Sequence, residues 1–255
     1  MASTVDPRAR FSGRAADYAR ARPRYPAALV ATLRRAIRLR PDHVIADVGS
    51  GTGLSAEPFL ENGNTVYGIE PNAEMRRVAE QILASHPRFR SVDGSAEATG
   101  LPDASVDVVL AAQAFHWFDR ERARREFHRI LRSPGWLVLI WNTRRTDGTP
   151  FLRAFEDLLR RFGTDYAHVR HDNICAGEIA AFFGRPHRRY TLPNQQVLDL
   201  DGLLARVRST SYMPAPGHPR YAPMVAAVER LFADHERDGR VTIEYDTEVF
   251  VGRLR

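Results

Sequence analysis

Residues 44–53, Val-Ile-Ala-Asp-Val-Gly-Ser-Gly-Thr-Gly, constrain this chain of 255 residues more than any other stretch. The apolar run reads as a buried strand with Asp47 near its end, and Gly49, Gly51 and Gly53 follow at every second position. Glycine there lets the backbone turn tightly and approach a ligand that a Cβ would hold off. A second apolar run at 65–69 ends on the acid Glu70. The same rhythm continues down the chain. Strands are expected at 43–48, 65–70, 89–93, 106–112 and 136–142, with helices near 27–39, 53–62, 73–85 and 120–132. Such alternation argues for a parallel sheet with helices on both faces. Gly135, after Arg132-Ser133-Pro134, is expected to break the helix before the fifth strand.

A strand, a glycine turn, a helix and a second strand ending in a carboxylate make a Rossmann-type unit that holds an adenosine ribose. The spacing separates two cofactor classes. Dinucleotide binders use G-x-G-x-x-G, with a helix N-terminus facing a pyrophosphate. Here the third glycine comes one residue earlier and Asp47 precedes the turn. That pattern resembles motif I of the class I S-adenosylmethionine methyltransferases, which implies a cofactor with an amino-acid tail and no phosphate, one carboxylate near its amino group and the other on its ribose hydroxyls. The alternative is a tight strand-to-helix turn without a ligand.

After Asn142 the rhythm changes. Helices are expected at 150–162 and 176–183, a strand at 187–198, a helix at 221–236 and a last strand at 241–251. An insertion between the fifth and sixth strands lies at the carboxyl edge of the sheet, where doubly wound folds bind ligands. The reading is therefore one domain over 1–255. It has an N-terminal lid (1–25), a core (26–142 and 187–255) and a small helical cap (143–186 with 201–220).

Bulk composition excludes several classes. The chain is 44% hydrophobic and 27% charged, ordinary for a globular domain, and holds no apolar run long enough for a membrane span. Its N-terminus is arginine-rich, but Asp6 and Asp17 interrupt it and no apolar stretch follows, which argues against a secretory signal. The single cysteine, Cys175, rules out an intrachain disulfide and suits a reducing cytoplasm. The formal charge of +6 invites nucleic acid as a partner. Against that, the cations are all arginine, spread in pairs along the chain, without the aromatic interleaving that stacks bases.

Four segments resemble the methyltransferase type 11 group of class I S-adenosylmethionine (SAM) enzymes, a set that includes relatives of trans-aconitate methyltransferase. They are Phe11-Ser12-Gly13-Arg14-Ala15-Ala16-Asp17-Tyr18 with Arg22-Pro23-Arg24-Tyr25-Pro26; the glycine turn; Gly94-Ser95-Ala96-Glu97 with Leu101-Pro102; and Ala114-Phe115-His116-Trp117-Phe118-Asp119 with Tyr245-Asp246-Thr247-Glu248-Val249. The resemblance implies a Rossmann-like, seven-stranded class I sheet with the seventh strand antiparallel beside the fifth. SAM would be the cofactor and a small molecule the methyl acceptor, in a monomer or homodimer.

Carried over residue by residue, it implies that Gly49, Gly51, Gly53 and Asp47 cradle the methionine part of SAM and that Glu70 accepts the ribose hydroxyls. Pro71 and Met75 would border the adenine, and Ala96 would contact its edge. Many relatives carry an aspartate where this chain has Ser95, whose hydroxyl is left to accept the adenine amino group; Glu97 would cap the following turn. Tyr18 and Arg22 would fold over the cofactor, Arg22 meeting its carboxylate; the alternative is a surface arginine before a proline turn.

Gln113 and His116 stand where the fourth strand ends, Gln113 counted with the cofactor pocket. Transfer of a methyl group from a sulfonium is an in-line displacement that needs mainly alignment and exclusion of water. A general base is required only when the acceptor arrives protonated. His116 is the candidate base, with a wall role as its alternative; Trp117 and Tyr212 are expected to line the acceptor side. His168, His171 and Cys175 have ligand-like spacing, but no second cluster completes a zinc site. Two other uses of the same cofactor site stay open: cyclisation or lyase chemistry, and RNA methylation.

Overall fold

The computed structural model describes residues 21–164, 176–210 and 212–254. Tyr18, the rest of the expected lid up to residue 20, and the His168–His171–Cys175 run lie outside the described residues. Among the described residues, seven strands form one sheet: β1 (Val44–Val48), β2 (Thr65–Ile69), β3 (Phe89–Val92), β4 (Val106–Ala112), β5 (Leu131–Arg144), β6 (Arg188–Leu198) and β7 (Val241–Gly252). Their order is β3-β2-β1-β4-β5-β7-β6. Strands β1 to β5 pair in parallel, and β7 runs antiparallel between β5 and β6. Each expected strand run lies within or overlaps an observed strand, and the seventh strand is antiparallel beside the fifth, as expected.

Strand alternation sorts side chains between the two faces. Ile45, Val108, Leu110, Val138 and Ile140 pack against α1 (Ala28–Ile37) and α2 (Glu57–Glu61). Ala46, Val48, Val109, Ala111, Leu137 and Leu139 face the other way, towards α4 (Arg120–Ile130) and α6 (Ala176–Phe183). Helix α3 (Ala73–Ile82) joins β2 to β3. Each fully buried Leu, Ile or Phe contributes about 1.5–3 kcal/mol of burial free energy.

Two boundaries differ from the sequence reading. The helix expected at 53–62 is only α2, because the turn residues that follow the glycines stay non-helical up to Ala56. Strand β5 starts at Leu131 rather than 136, with a register shift between Val106 and Val108 that absorbs residues 132–135 as a bulge. A Cβ on Gly135 would lie 2.5 Å from the Arg132 carbonyl oxygen, so glycine is what the bulge admits.

A third apolar cluster stands apart from both faces. It joins α5 (Pro150–Phe162), α7 (Leu200–Arg208) and α8 (Tyr221–His235) through Phe155, Leu159, Leu203, Val207, Met224 and Val228. The β7 residues Val241, Ile243 and Tyr245 form its floor. This helical layer corrects the expected partition in two places. Helix α8, read as core, packs in the cap, because Met224 and Val228 meet α5 and α7. Helix α6, read as cap, packs on the sheet through Ile179, Phe182 and Phe183 and is held to α4 by Arg124 Nε, which donates to the Phe182 carbonyl at 2.9 Å.

Between core and cap, one face of β5, β7 and β6 carries a polar band. Register places Asn142 opposite Thr247, and Asn194 opposite Tyr245. Asn142 Oδ1 accepts from Thr247 Oγ1 at 2.5 Å and from Asn194 Nδ2 at 3.2 Å. Asn194 Nδ2 also donates to the Arg24 carbonyl at 2.8 Å, and Gln196 Nε2 to the Ala21 carbonyl at 3.0 Å. The band thus fastens segment 21–24 across the sheet. Asn142→Ala leaves the buried Thr247 hydroxyl without its acceptor, so we expect a loss of about 1–3 kcal/mol in urea unfolding. Tryptic cleavage after Arg24 should accelerate at the same time; an unchanged midpoint and cleavage rate would show the band to be dispensable.

Candidate active site

The glycine turn is pinned to the end of β2. Gly49 N and Ser50 N donate to the Ile69 carbonyl at 2.8 and 3.2 Å, and Gly51 N to Glu70 Oε2 at 3.0 Å. All three glycines have positive φ, but their surroundings differ. A Cβ on Gly49 would lie 2.5 Å from Ala114 Cβ, and one on Gly53 would lie 2.6 Å from Leu83 Cδ1. On Gly51 it would meet nothing within 4 Å. Two glycines therefore serve packing, while Gly51 presents bare backbone to open space.

Glu70 sits under that turn. Its other oxygen accepts from Asn72 N at 2.9 Å, and Asn72 Oδ1 caps α3 by accepting from Glu74 N and Met75 N at 3.0 and 3.1 Å. Burial pushes the Glu70 carboxyl up, opposed by the Asn72 and Gly51 amides and by Arg76. Each carboxylate oxygen accepts about two hydrogen bonds, so Glu70 can hold the turn and still take hydroxyl donors. Pro71 is half-buried and Met75 buried at the start of α3.

Asp47 is fully buried at the end of β1. Ser55 Oγ donates to its Oδ2 at 2.6 Å, and its Oδ1 has no hydrogen-bond partner among the described residues. Burial pushes its carboxyl up to about 7; the Ser55 hydrogen bond opposes this and the Glu70 charge adds to it. Next door, at the end of β4, Gln113 adopts φ +60°, a region that a non-glycine residue enters only when its surroundings impose it. Its backbone N–H donates to the Ile140 carbonyl at 2.9 Å and its Nε2 to the Asn142 carbonyl at 3.3 Å. That bond orients the amide so that the buried Oε1 is left without a partner among the described residues. Two orphaned acceptors at the ends of adjacent strands fit a ligand that brings donors, and an ammonium supplies them. With the open cradle at Gly51, the residues present fit SAM.

In the β3–β4 connection, Ser95 Oγ accepts from Glu97 N at 3.3 Å, so the serine closes its own turn beside buried Ala96. Glu97 Oε1 accepts from Asp119 N at 2.9 Å, holding this connection to the start of α4. Phe115, His116 and Trp117 form a short 3₁₀ turn after β4. Phe115 is buried, edge-on to Trp141 and Phe182 at 6.1 and 4.7 Å. Trp117 is 37% exposed, its ring 4.7 Å from that of half-buried His116. The triplet is thus divided: Phe115 anchors it and Trp117 looks outward.

Arg22 reaches the cap segment that carries Tyr212. Arg22 NH2 donates to the Ser209 carbonyl at 3.3 Å. Burial raises the Tyr212 phenol, opposed by Arg206, Arg144 and Arg22. Sequence reasoning missed Ser55, Asn142, Asn194, Gln196 and Thr247, and the arginines 144 and 206. The available signal was Thr247, a polar residue within the alternate apolar series Val241, Ile243, Tyr245, Val249 and Val251 of β7.

Comparison with known proteins agrees with this geometry. The family described as "Methyltransferase domain", of type 11, matches residues 46–139. An uncharacterised methyltransferase of Mycobacterium tuberculosis is 39% identical over 228 residues, covering 88% of this chain and 86% of the relative. A Schizosaccharomyces pombe methyltransferase-like protein is 34% identical over 169 residues, and there the match spans 63% of the relative. Among solved structures, a candidate type II methyltransferase from Anaeromyxobacter dehalogenans is 26% identical, with a TM-score of 0.66 over 91% of this chain and 97% of that one. The [4+2]-cyclase SpnF shares the fold at 17% identity and a TM-score of 0.51, over 89% of this chain and 81% of that one. The chain belongs to the class I SAM-dependent methyltransferases, in the type 11 group. No helix among the described residues is long and apolar enough to cross a membrane.

The Asp47 environment makes a pH prediction. Its folded pKa, about 7, lies above its ordinary value of 3.8. Between about pH 4 and 7 the folded chain therefore holds a proton that the unfolded chain has lost, and stability falls as pH rises through that window. Asp47→Asn should flatten this slope in urea unfolding. Binding of S-adenosylhomocysteine, whose ammonium favours the ionised acid, should tighten from pH 6 to 8 in the parent protein and lose that dependence in the variant. A parallel pH response of both proteins would show that Asp47 is not the titrating group.

Proposed function

We propose that this enzyme methylates a small-molecule acceptor bound between the carboxyl edge of the sheet and the helical cap. The observation that carries the reading is the pair of orphaned acceptors, Asp47 Oδ1 and Gln113 Oε1, beside the open backbone of Gly51. The cofactor when bound supplies a sulfonium methyl group with a good leaving group. Asp47 and Gln113 then hold the ammonium, Glu70 accepts the ribose hydroxyls, and Pro71, Met75, Ser95 and Ala96 border the adenine. Arg22 remains the candidate for the cofactor carboxylate. A location in the cytoplasm goes with such a substrate.

On the acceptor side the chain's work is alignment and exclusion of water. Phe115 fixes the turn that carries His116 and Trp117, so both rings have a defined place at the end of β4. His116 serves as a wall in this reading, since displacement from a sulfonium needs a base only for a protonated nucleophile. Incubation with methyl-labelled SAM and a cell metabolite extract should yield a product heavier by one methyl group. An unmethylated isomer, or release of methylthioadenosine, would favour cyclisation or lyase chemistry on the same site.

Two variants test the assigned roles. Glu70→Gln keeps one acceptor for the turn and removes the charge, and should weaken S-adenosylhomocysteine binding at least tenfold in calorimetry. His116→Gln should keep most of the maximal rate and raise the acceptor KM. A fall of about 10²–10⁴ in kcat, with loss of an ascending limb in the pH–rate profile, would make His116 a base instead.

A further inference from the structure

The order of the strands gives the cofactor a direction. Asp47 and Gln113, with their orphaned acceptors, stand at the ends of β1 and β4; Glu70 follows β2, and β3 is the next strand outward. A ligand with its ammonium at the first pair and its ribose on Glu70 carries its base on towards the connection that leaves β3. Glu70 N donates to the Val92 carbonyl at 3.2 Å, so this connection starts beside the ribose acid. A Cβ on Gly94 would lie 2.8 Å from the Thr99 carbonyl oxygen and 3.0 Å from Ile69 Cγ2. Glycine there lets the connection close down on the end of β2.

The two acids of that connection are engaged elsewhere. Arg76 NH1 donates to Asp93 Oδ1 at 2.9 Å and to the Glu70 carbonyl at 2.7 Å, which draws Asp93 towards α3. Glu97 is taken by the amide of Asp119 at the start of α4. Ser95 is left between them. A two-way bridge fixes its backbone, Ser95 N donating to the Ala98 carbonyl at 3.0 Å and Ala98 N returning the bond at 3.3 Å. A hydroxyl has one hydrogen and two lone pairs. One lone pair accepts from Glu97 N, so Ser95 keeps a donor and an acceptor free among the described residues. The side chain at this place is therefore neutral and works in both senses, where a carboxylate would only accept.

We propose that Ser95 makes the cofactor site tolerant at position 6 of the purine, so that it takes a 6-oxo base as well as a 6-amino base. This inference rests on the cofactor reading above. The amino group of adenine is a donor, and Ser95 Oγ accepts from it. The 6-oxo group of hypoxanthine is an acceptor, and the same hydroxyl, turned about its Cβ–Oγ bond, donates to it. A carboxylate here would set its lone pairs against the 6-oxo oxygen and leave both acceptors unpaired. Ser95 acts as a specificity-determining residue by declining to discriminate.

Calorimetry with the full chain compares S-adenosylhomocysteine with S-inosylhomocysteine, which differ only at position 6 and the ring nitrogen beside it. The parent should bind the two within about tenfold of each other. Ser95→Asp keeps an acceptor for Glu97 N, and should widen the preference for the adenosyl ligand by at least about tenfold beyond the parent's. Ser95→Ala removes donor and acceptor together and should weaken both ligands by a similar factor. A parental preference beyond about tenfold overturns the inference and leaves the cofactor site standing. So does a folded Ser95→Asp protein with the parental ratio, or a folded Ser95→Ala protein with parental affinity for both ligands. A parent that binds neither ligand overturns the cofactor reading itself. The first comparison uses the parent alone, so it bears on the matter even where a variant fails to fold.

Discussion

Three backbone amides of the glycine turn donate to the end of β2, two to the Ile69 carbonyl and one to Glu70, and the carboxyl edge of the sheet takes its form from them. This small set of bonds fixes how closely β1 and β2 end beside each other. It brings Glu70 near enough to Asp47 that its charge adds to the cost of ionising that buried acid. It also orients the Gly51 backbone towards open space. Glu70 is the hinge of the arrangement, since one carboxylate ties the turn to the start of α3 and retains lone pairs for a ligand.

The second constraint is the polar band on β5, β7 and β6. Buried amides and hydroxyls are stable only when bonded, and here Asn142, Asn194, Gln196 and Thr247 satisfy one another and the carbonyls of Ala21 and Arg24. Long strands are what make this possible. Strand β5 runs to Arg144 and β7 begins at Val241, so the sheet extends beyond the main core and floors the cap. One face of the sheet thereby serves two apolar clusters, with the polar band between them. The Gln113 amide joins that band to the cofactor corner through the Asn142 carbonyl.

Much of the architecture was legible because it rests on local periodicity. Apolar runs of strand length, the glycine turn and the acid after β2 are short-range signals, and each strand overlaps the run that predicts it. The limits of α2 and β5 were not legible. The turn residues 54–56 read as helix because their composition is neutral, and the bulge at 132–135 depends on β4 lying alongside. The exchange of roles between α6 and α8 has the same origin. Both are apolar enough to bury, and only the tertiary arrangement decides whether sheet or cap receives them.

The sequence by itself determined the doubly wound frame and the identity of the residues at the first two strand ends, because spacing along the chain dictates which atoms a tight turn can expose. Tertiary structure alone decided what Glu70 and Gln113 are bonded to, and which glycines pack and which stay open. Those outcomes depend on residues far apart in sequence, such as Arg22 with Ser209 and Asn142 with Thr247, meeting across strands whose register no local pattern records.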